Sequence, residues 1–218
     1  MPSPSMVAAK KIRLVRQNCF PELCEGLNKA INRELHASYF YRAMSYFFRK
    51  PEVHMMGFSS HFRSVAEDKR RNALTIIDYL SRRGQEVTLS AVAAPYKGSK
   101  WSSTMDALSE AVEVERWLNA KLIALHYRAL LLHDPSVLVF LEDSFVEQQA
   151  AAVRARASLV LRARNGGKTG LAFLILDKSL QEGEGEETES LAQMVKDYGD
   201  LLSGEEDAIL NELENMNL

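Results

Sequence analysis

The 218-residue chain has only two cysteines and six prolines, and its most apolar runs are short: Val137–Leu141 and Leu171–Leu176. A helix that crosses a bilayer needs about 18 or more apolar residues, so no membrane span is expected. Cys19 and Cys24 are too few for a disulfide scaffold and lack the spacing of a structural zinc site. They read as free thiols in a reducing compartment or as one local bridge. Residues 1–18 carry Lys10, Lys11, Arg13 and Arg16 without an acid, yet lack the apolar centre of a secretory signal. Their composition leaves a transit peptide open, and the expected location is cytoplasmic. Neither membrane nor nucleic acid is expected as a partner.

Net charge is also scarce, at −2 for the whole chain. The balance is uneven along the sequence. Residues 181–218 hold 12 acids and one base, Lys196, which leaves 26 bases against 17 acids in residues 1–180. The body is therefore +9 and the tail −11. Such a split suggests an interaction tail or two surfaces that complement each other.

What is abundant is helical periodicity. Between Pro21 and Lys50, Leu23, Leu27, Ala30, Ile31, Leu35, Tyr39, Ala43 and Phe47 recur at the spacing of one buried helical stripe, and Pro51 stops it. A second helix is predicted from Met55 to Arg83, closed by Gly84, which suits a left-handed cap. Residues 84–103 break the periodicity and predict a long connection, with one possible extended piece at Glu86–Leu89. A third helix follows from Ser103 to His133, and a fourth from Asp134-Pro135 to Arg164, with serine and threonine caps before the one and proline in the first turn of the other. The short apolar segment Leu171–Leu176 cannot be a stable helix alone and must be buried against something. The predicted fold is all-α: a four-helix bundle with a long crossover between helices two and three, plus a short fifth helix.

Such a bundle can hold a metal pair when two helices supply carboxylates and two supply Glu-x-x-His. That motif is missing, because Arg33, Pro51, Phe58, Ile123 and Leu130 stand three residues before the five histidines. A complete di-iron centre is not expected from spacing. Polar residues nevertheless interrupt the apolar stripes: Glu34, with Tyr41 seven residues later on the same face, Glu115 between Val112 and Leu118, and Gln149 among alanines. Singly each reads as a hydrogen-bonded flank residue, and together they read as a polar cluster inside the bundle.

At this point the sequence resembles the ferritins. The landmarks run in order from Val15-Arg16-Gln17-Asn18 through Asn32-Arg33-Glu34-Leu35-His36-Ala37-Ser38-Tyr39, Met44–Phe48, Arg83-Gly84, Leu125-His126, Asp134-Pro135 and Phe140-Leu141-Glu142 to Gly170-Leu171-Ala172 and Asp177-Lys178. They define a bundle over 15–180, about three quarters of the chain, between a flexible N-terminal extension, 1–14, and an acidic C-terminal extension, 181–218. The resemblance implies a 24-subunit cage that stores iron, built with itself or other ferritin subunits, the short fifth helix packing about four-fold axes.

Carried over residue by residue, the resemblance assigns Glu34, Tyr41, Glu115 and Gln149 to matching positions of the ferroxidase centre. It also puts Lys69 where that centre has a bridging glutamate and Asn72 where it has a histidine. A lysine there resembles the non-catalytic, light-type chain, and the ammonium is expected to pair with Glu115 or Glu34. Glu67 and Asp68 match the light chain's nucleation surface, although Ser64 and Arg71 replace acids; a solvated face paired with Arg70 and Arg71 is the competing reading. Glu142 and His126 match the three-fold channel, in which Val139 replaces an aspartate. Two alternatives stay open: a ferroxidase with an atypical site using Asp68, and a ferritin-derived scaffold whose acidic tail binds a partner. If the tail points into the cavity, its acids would line the interior.

Overall fold

The computed structural model describes residues 20–95, 101–165 and 170–182. Helix α1 spans Pro21–Phe48, α2 Met56–Arg82 and α3 Thr104–Leu131. Helix α4 is a composite rod: Pro135–Leu141, a π-helical stretch Glu142–Val146, then Glu147–Asn165. Helix α5, Leu171–Glu182, follows. Among the described residues there is no strand. The four-helix bundle with a fifth helix is thus as expected. The N-terminal extension 1–14 and the acidic tail from residue 183 onward lie outside the described residues.

Local chemistry sets the helix boundaries. Pro21 and Pro135 occupy first-turn positions, where a missing N–H costs nothing. The Ser103 hydroxyl accepts from the Asp106 N–H, and the Asp134 carboxylate accepts from the Val137 N–H, both at 3.1 Å. Gly84 closes α2 at φ 65°, the left-handed conformation expected of it. Asp134 does a second job, since Arg83 reaches it at 3.1 Å and ties the end of α2 to the start of α4.

Three expectations need correction. Glu86–Leu89 is not a strand. Instead, Asn28 on α1 clips it, donating to the Glu86 carbonyl at 3.2 Å and accepting from the Thr88 N–H at 2.7 Å. Cys24 is disulfide-bonded, which corrects the free-thiol reading and removes the argument for a reducing compartment that rested on it; the chain's other cysteine, Cys19, lies outside the described residues. The apolar segment at Leu171 is the first half of a helix of 12 residues. The extra turns exist because they dock: Asp177 accepts from the Phe58 N–H at 2.8 Å, and Leu176 is 4% exposed.

The core has two apolar clusters. One gathers Phe40, Phe48, Phe58, Phe62 and Val160 with Leu176 of α5. The other gathers Leu23, Leu27, Ile31, Ile76, Leu80, Leu125 and Phe145 at the far end. Each of the four long helices contributes to both, and on each helix the stretch between them carries a buried polar residue.

Gly57 lets α5 approach α2, because a Cβ there would lie 1.8 Å from the Asp177 carbonyl oxygen. Backbone cannot yield as a side chain tip can. Gly57→Ala is expected to destabilise the protein by about 3 kcal/mol, read as a lowered thermal midpoint; an unchanged midpoint would show that this contact does not constrain α5.

Candidate metal centre and surface sites

The residues between the two clusters are Glu34 on α1, Lys69 on α2, Glu115 on α3 and Gln149 on α4. An apolar stripe puts every third or fourth residue inward, so one polar residue in that stripe per helix, at one level of the bundle, converges on its neighbours. The Lys69 ammonium donates to Glu115 Oε2 at 2.8 Å and to Gln149 Oε1 at 3.1 Å. Gln149 Nε2 donates to the same carboxylate at 2.6 Å, and the Tyr41 hydroxyl donates to Glu115 Oε1 at 2.8 Å. Asn72 donates to Glu34 at 3.4 Å. Glu115 and Tyr41 are fully buried and Lys69 is 4% exposed.

The electrostatics follow from burial and partner. Burial pushes the Glu115 carboxyl up, but the Lys69 charge and the hydrogen bonds from Lys69, Tyr41 and Gln149 prevail and hold it below the usual range. Glu34 has no such set of donors, and burial raises its carboxyl despite the pull of Lys69. A pocket of about 30 Å³ beside Glu34 and Gln149 has room for water. Tyr41 is pushed far up, first by burial and then by the Glu115 charge, so it stays a hydrogen-bond donor.

The structure therefore brings Glu34, Tyr41, Glu115, Gln149, Lys69 and Asn72 into one layer, and of the expected pairings for Lys69 it realises the one with Glu115. The ammonium occupies the space between the Glu115 and Gln149 oxygens, and a donor of protons cannot also be a metal ligand. Among the described residues no three His, Cys, Asp or Glu side chains converge as a metal-holding group.

The surface candidates fall elsewhere. Glu67 is engaged by Arg42 and by Arg70, at 2.8 Å from the latter, and the Arg70 hydrogen bond first of all keeps its carboxyl low. Asp68 pairs with Arg71 at 3.0 Å, on the outer side of α2 and away from the Lys69 layer. His126 Nε2 and Glu142 Oε1 meet at 2.7 Å across α3 and α4, with Val139 54% exposed nearby on α4. Glu142 opens the π-helical stretch, a form that occurs mostly as single-turn insertions in α-helices and frequently at functional sites.

Sequence reasoning missed Arg156 and His61. Arg156 is 7% exposed on α4, and its Nη1 donates to His61 Nε2 on α2 at 2.7 Å. An isolated Arg and His ninety-five residues apart carry no spacing signal, although an arginine at a core-facing position of α4 was a visible anomaly.

The chain matches the ferritin-like domain family over residues 24–161. It is 32% identical over 168 residues to a ferritin of Pacifastacus leniusculus, covering 77% of this chain and 92% of that protein. The chain belongs to the ferritin family. A ferritin heavy chain of Echinococcus granulosus is 37% identical, covering 78% of this chain and 98% of that protein, and a soma ferritin of Lymnaea stagnalis is 31% identical, covering 75% and 92%. As an iron-storage ferritin subunit, the protein belongs to a group whose members assemble into oligomeric cages. Among its described residues no helix is long and apolar enough to cross a membrane.

Two outcomes follow from the site. Glu115→Gln leaves the Lys69 charge buried without its counter-ion and should cost about 3–5 kcal/mol in urea unfolding, whereas the Glu115→Gln/Lys69→Met double variant should recover most of that loss. A double variant as unstable as the single one would refute the pairing. Burial, helped by the Arg156 charge, lowers His61 to about 4. The unfolded histidine binds its proton near pH 6.5, so the unfolded state gains protons first. Stability should fall as pH drops from about 6.5 to about 4 and then level off for this group, and His61→Gln should flatten that slope.

Proposed function

We propose that this protein is a light-type, non-catalytic subunit of a ferritin cage, which supports iron binding and mineral nucleation without a complete ferroxidase centre. The observation that carries the reading is the buried Lys69 ammonium, held at 2.8 Å from Glu115 where the ferroxidase centre has a bridging glutamate. Overall similarity does not separate the two types, since one relative is named a heavy chain. The distinction rests on Lys69 and Asn72. Iron is the cargo. The remaining donors, Glu34, Glu115, Gln149 and Tyr41, do not fit a metal pair, because Glu115 already receives three hydrogen bonds from Lys69, Tyr41 and Gln149.

In this reading Glu67 and Asp68 contribute to the nucleation surface. Each is tied to an arginine of α2, exposed pairs worth little individually, so iron competes for them at modest cost. The His126–Glu142 pair stands at the three-fold channel, where Val139 weakens the field for cations. If the acidic extension, 181–218, enters the cavity, its 12 acids compensate by supplying carboxylates to the interior. Partner subunits with an intact centre oxidise the iron, and this chain assembles with them or with itself.

The decisive measurement is Fe²⁺ oxidation by the purified homopolymer, after size-exclusion chromatography has established a cage-sized particle. Slow oxidation without a saturable fast phase is expected, and a fast, saturable phase would overturn the light-type assignment. Deleting 181–218 should lower mineral loading in co-assembled cages; unchanged loading would remove the tail from the reading.

A further inference from the structure

Lys69 does not account for the charge of the core by itself. Glu34 and Glu115 bring two carboxylates into the bundle interior, and Lys69 offsets one of them. With both carboxyls ionised, as metal ligands must be, the layer is left at −1 and would still attract a cation. The other buried cation near it is Arg156, seven residues beyond Gln149 on α4, hence two turns along the same face. Among the described residues no carboxylate pairs with it. Its guanidinium lies 5.9 Å from the centre of the Tyr41 ring and 5.8 Å from that of Phe62, and its Nη1 donates to His61 at 2.7 Å. Its Nε is buried with no partner. Its acceptors, the His61 ring nitrogen and the Tyr41 oxygen, are both neutral, so the buried charge is costly, and an apolar residue could fill the place.

The charge count supplies a reason for it. The connected set runs from Lys69 through Glu115 and Tyr41 to Arg156 and His61, and with Glu34 it contains two cations and two carboxylates. We infer that Arg156 is a second determinant of metal exclusion in this core: its buried charge neutralises the layer beside Tyr41, so that rebuilding the ligands at positions 69 and 72 alone does not restore a tight metal site. The inference rests on the light-type reading and extends it from one residue to two, on different helices. Arg156 acts through charge and through Tyr41, so it is a positioning and specificity residue rather than a ligand.

The test titrates Zn²⁺, which has no redox chemistry to confuse binding with turnover, into full-length assembled particles by calorimetry, with the unaltered protein as the blank for surface carboxylates. Three variants are compared: K69E/N72H, K69E/N72H/R156L and K69E/N72H/R156K. The Leu variant should bind Zn²⁺ roughly tenfold or more tightly than K69E/N72H, since a unit charge close by in a low-dielectric core weighs at least that much. The Lys variant, which keeps the charge but loses the planar fork, should behave like K69E/N72H. Equal affinity with and without Arg156, including no binding in either, overturns the inference. Helix content and particle size are checked for each variant, and R156Q replaces R156L if the leucine disturbs assembly. Core binding of Zn²⁺ by the unaltered protein would instead sink the light-type reading, a result distinguishable from any difference among the variants.

Discussion

The arrangement of the bundle depends on one buried ion pair, Lys69 on α2 with Glu115 on α3, at 2.8 Å and almost without solvent. Desolvating two charges costs several kcal/mol, and their attraction repays it only if the remaining donors and acceptors are met. Here they are met by Gln149 from α4 and Tyr41 from α1. A pair that needs groups from all four helices holds those helices in one axial register. Sliding any helix by a turn would leave a charge in hydrocarbon, a larger loss than any single apolar contact could offset.

The two apolar clusters on either side then do the ordinary work of burial. At the α5 end the aromatic stack of Phe48, Phe58 and Phe62 continues to Tyr41, with Phe48 5.1 Å from Phe58 and Tyr41 5.8 Å from Phe62, so the polar layer is seated on rings rather than on flexible chains. Helix α5 closes that end through Asp177 and the cleared space at Gly57. At the other end Arg83, Asp134 and Tyr79 tie the crossover to the turn before α4. The polar layer is thus enclosed from both directions, which is what makes its charges persistent and its hydrogen bonds short.

Much of this was legible beforehand because it depends on local signals. The apolar repeat of α1, the serine cap of α3, Pro135 and Gly84 each act within a few residues, and each of the four long helices ended within about three residues of its expected limit. The polar layer was legible in part, since Glu34, Glu115 and Gln149 interrupt apolar stripes where nothing local requires them. The clip of Asn28 on Glu86 and Thr88 was not, since a side chain that satisfies a distant backbone leaves no pattern in the sequence. Nor was the docked second half of α5, whose helicity comes from α2 and not from its own propensity.

The sequence by itself determined that the chain is helical, where its four long helices begin and end, and which residue types interrupt their inward faces, because caps, prolines and a 3.6-residue period act over short range. Only the tertiary structure decided which of those interruptions meet. That Lys69 chooses Glu115 and Gln149 while Glu34 is left to Asn72, and that Arg156 lies against Tyr41 and His61, are consequences of register and burial. Coulomb energy and desolvation depend on distance and surroundings, and neither is written in the order of the residues.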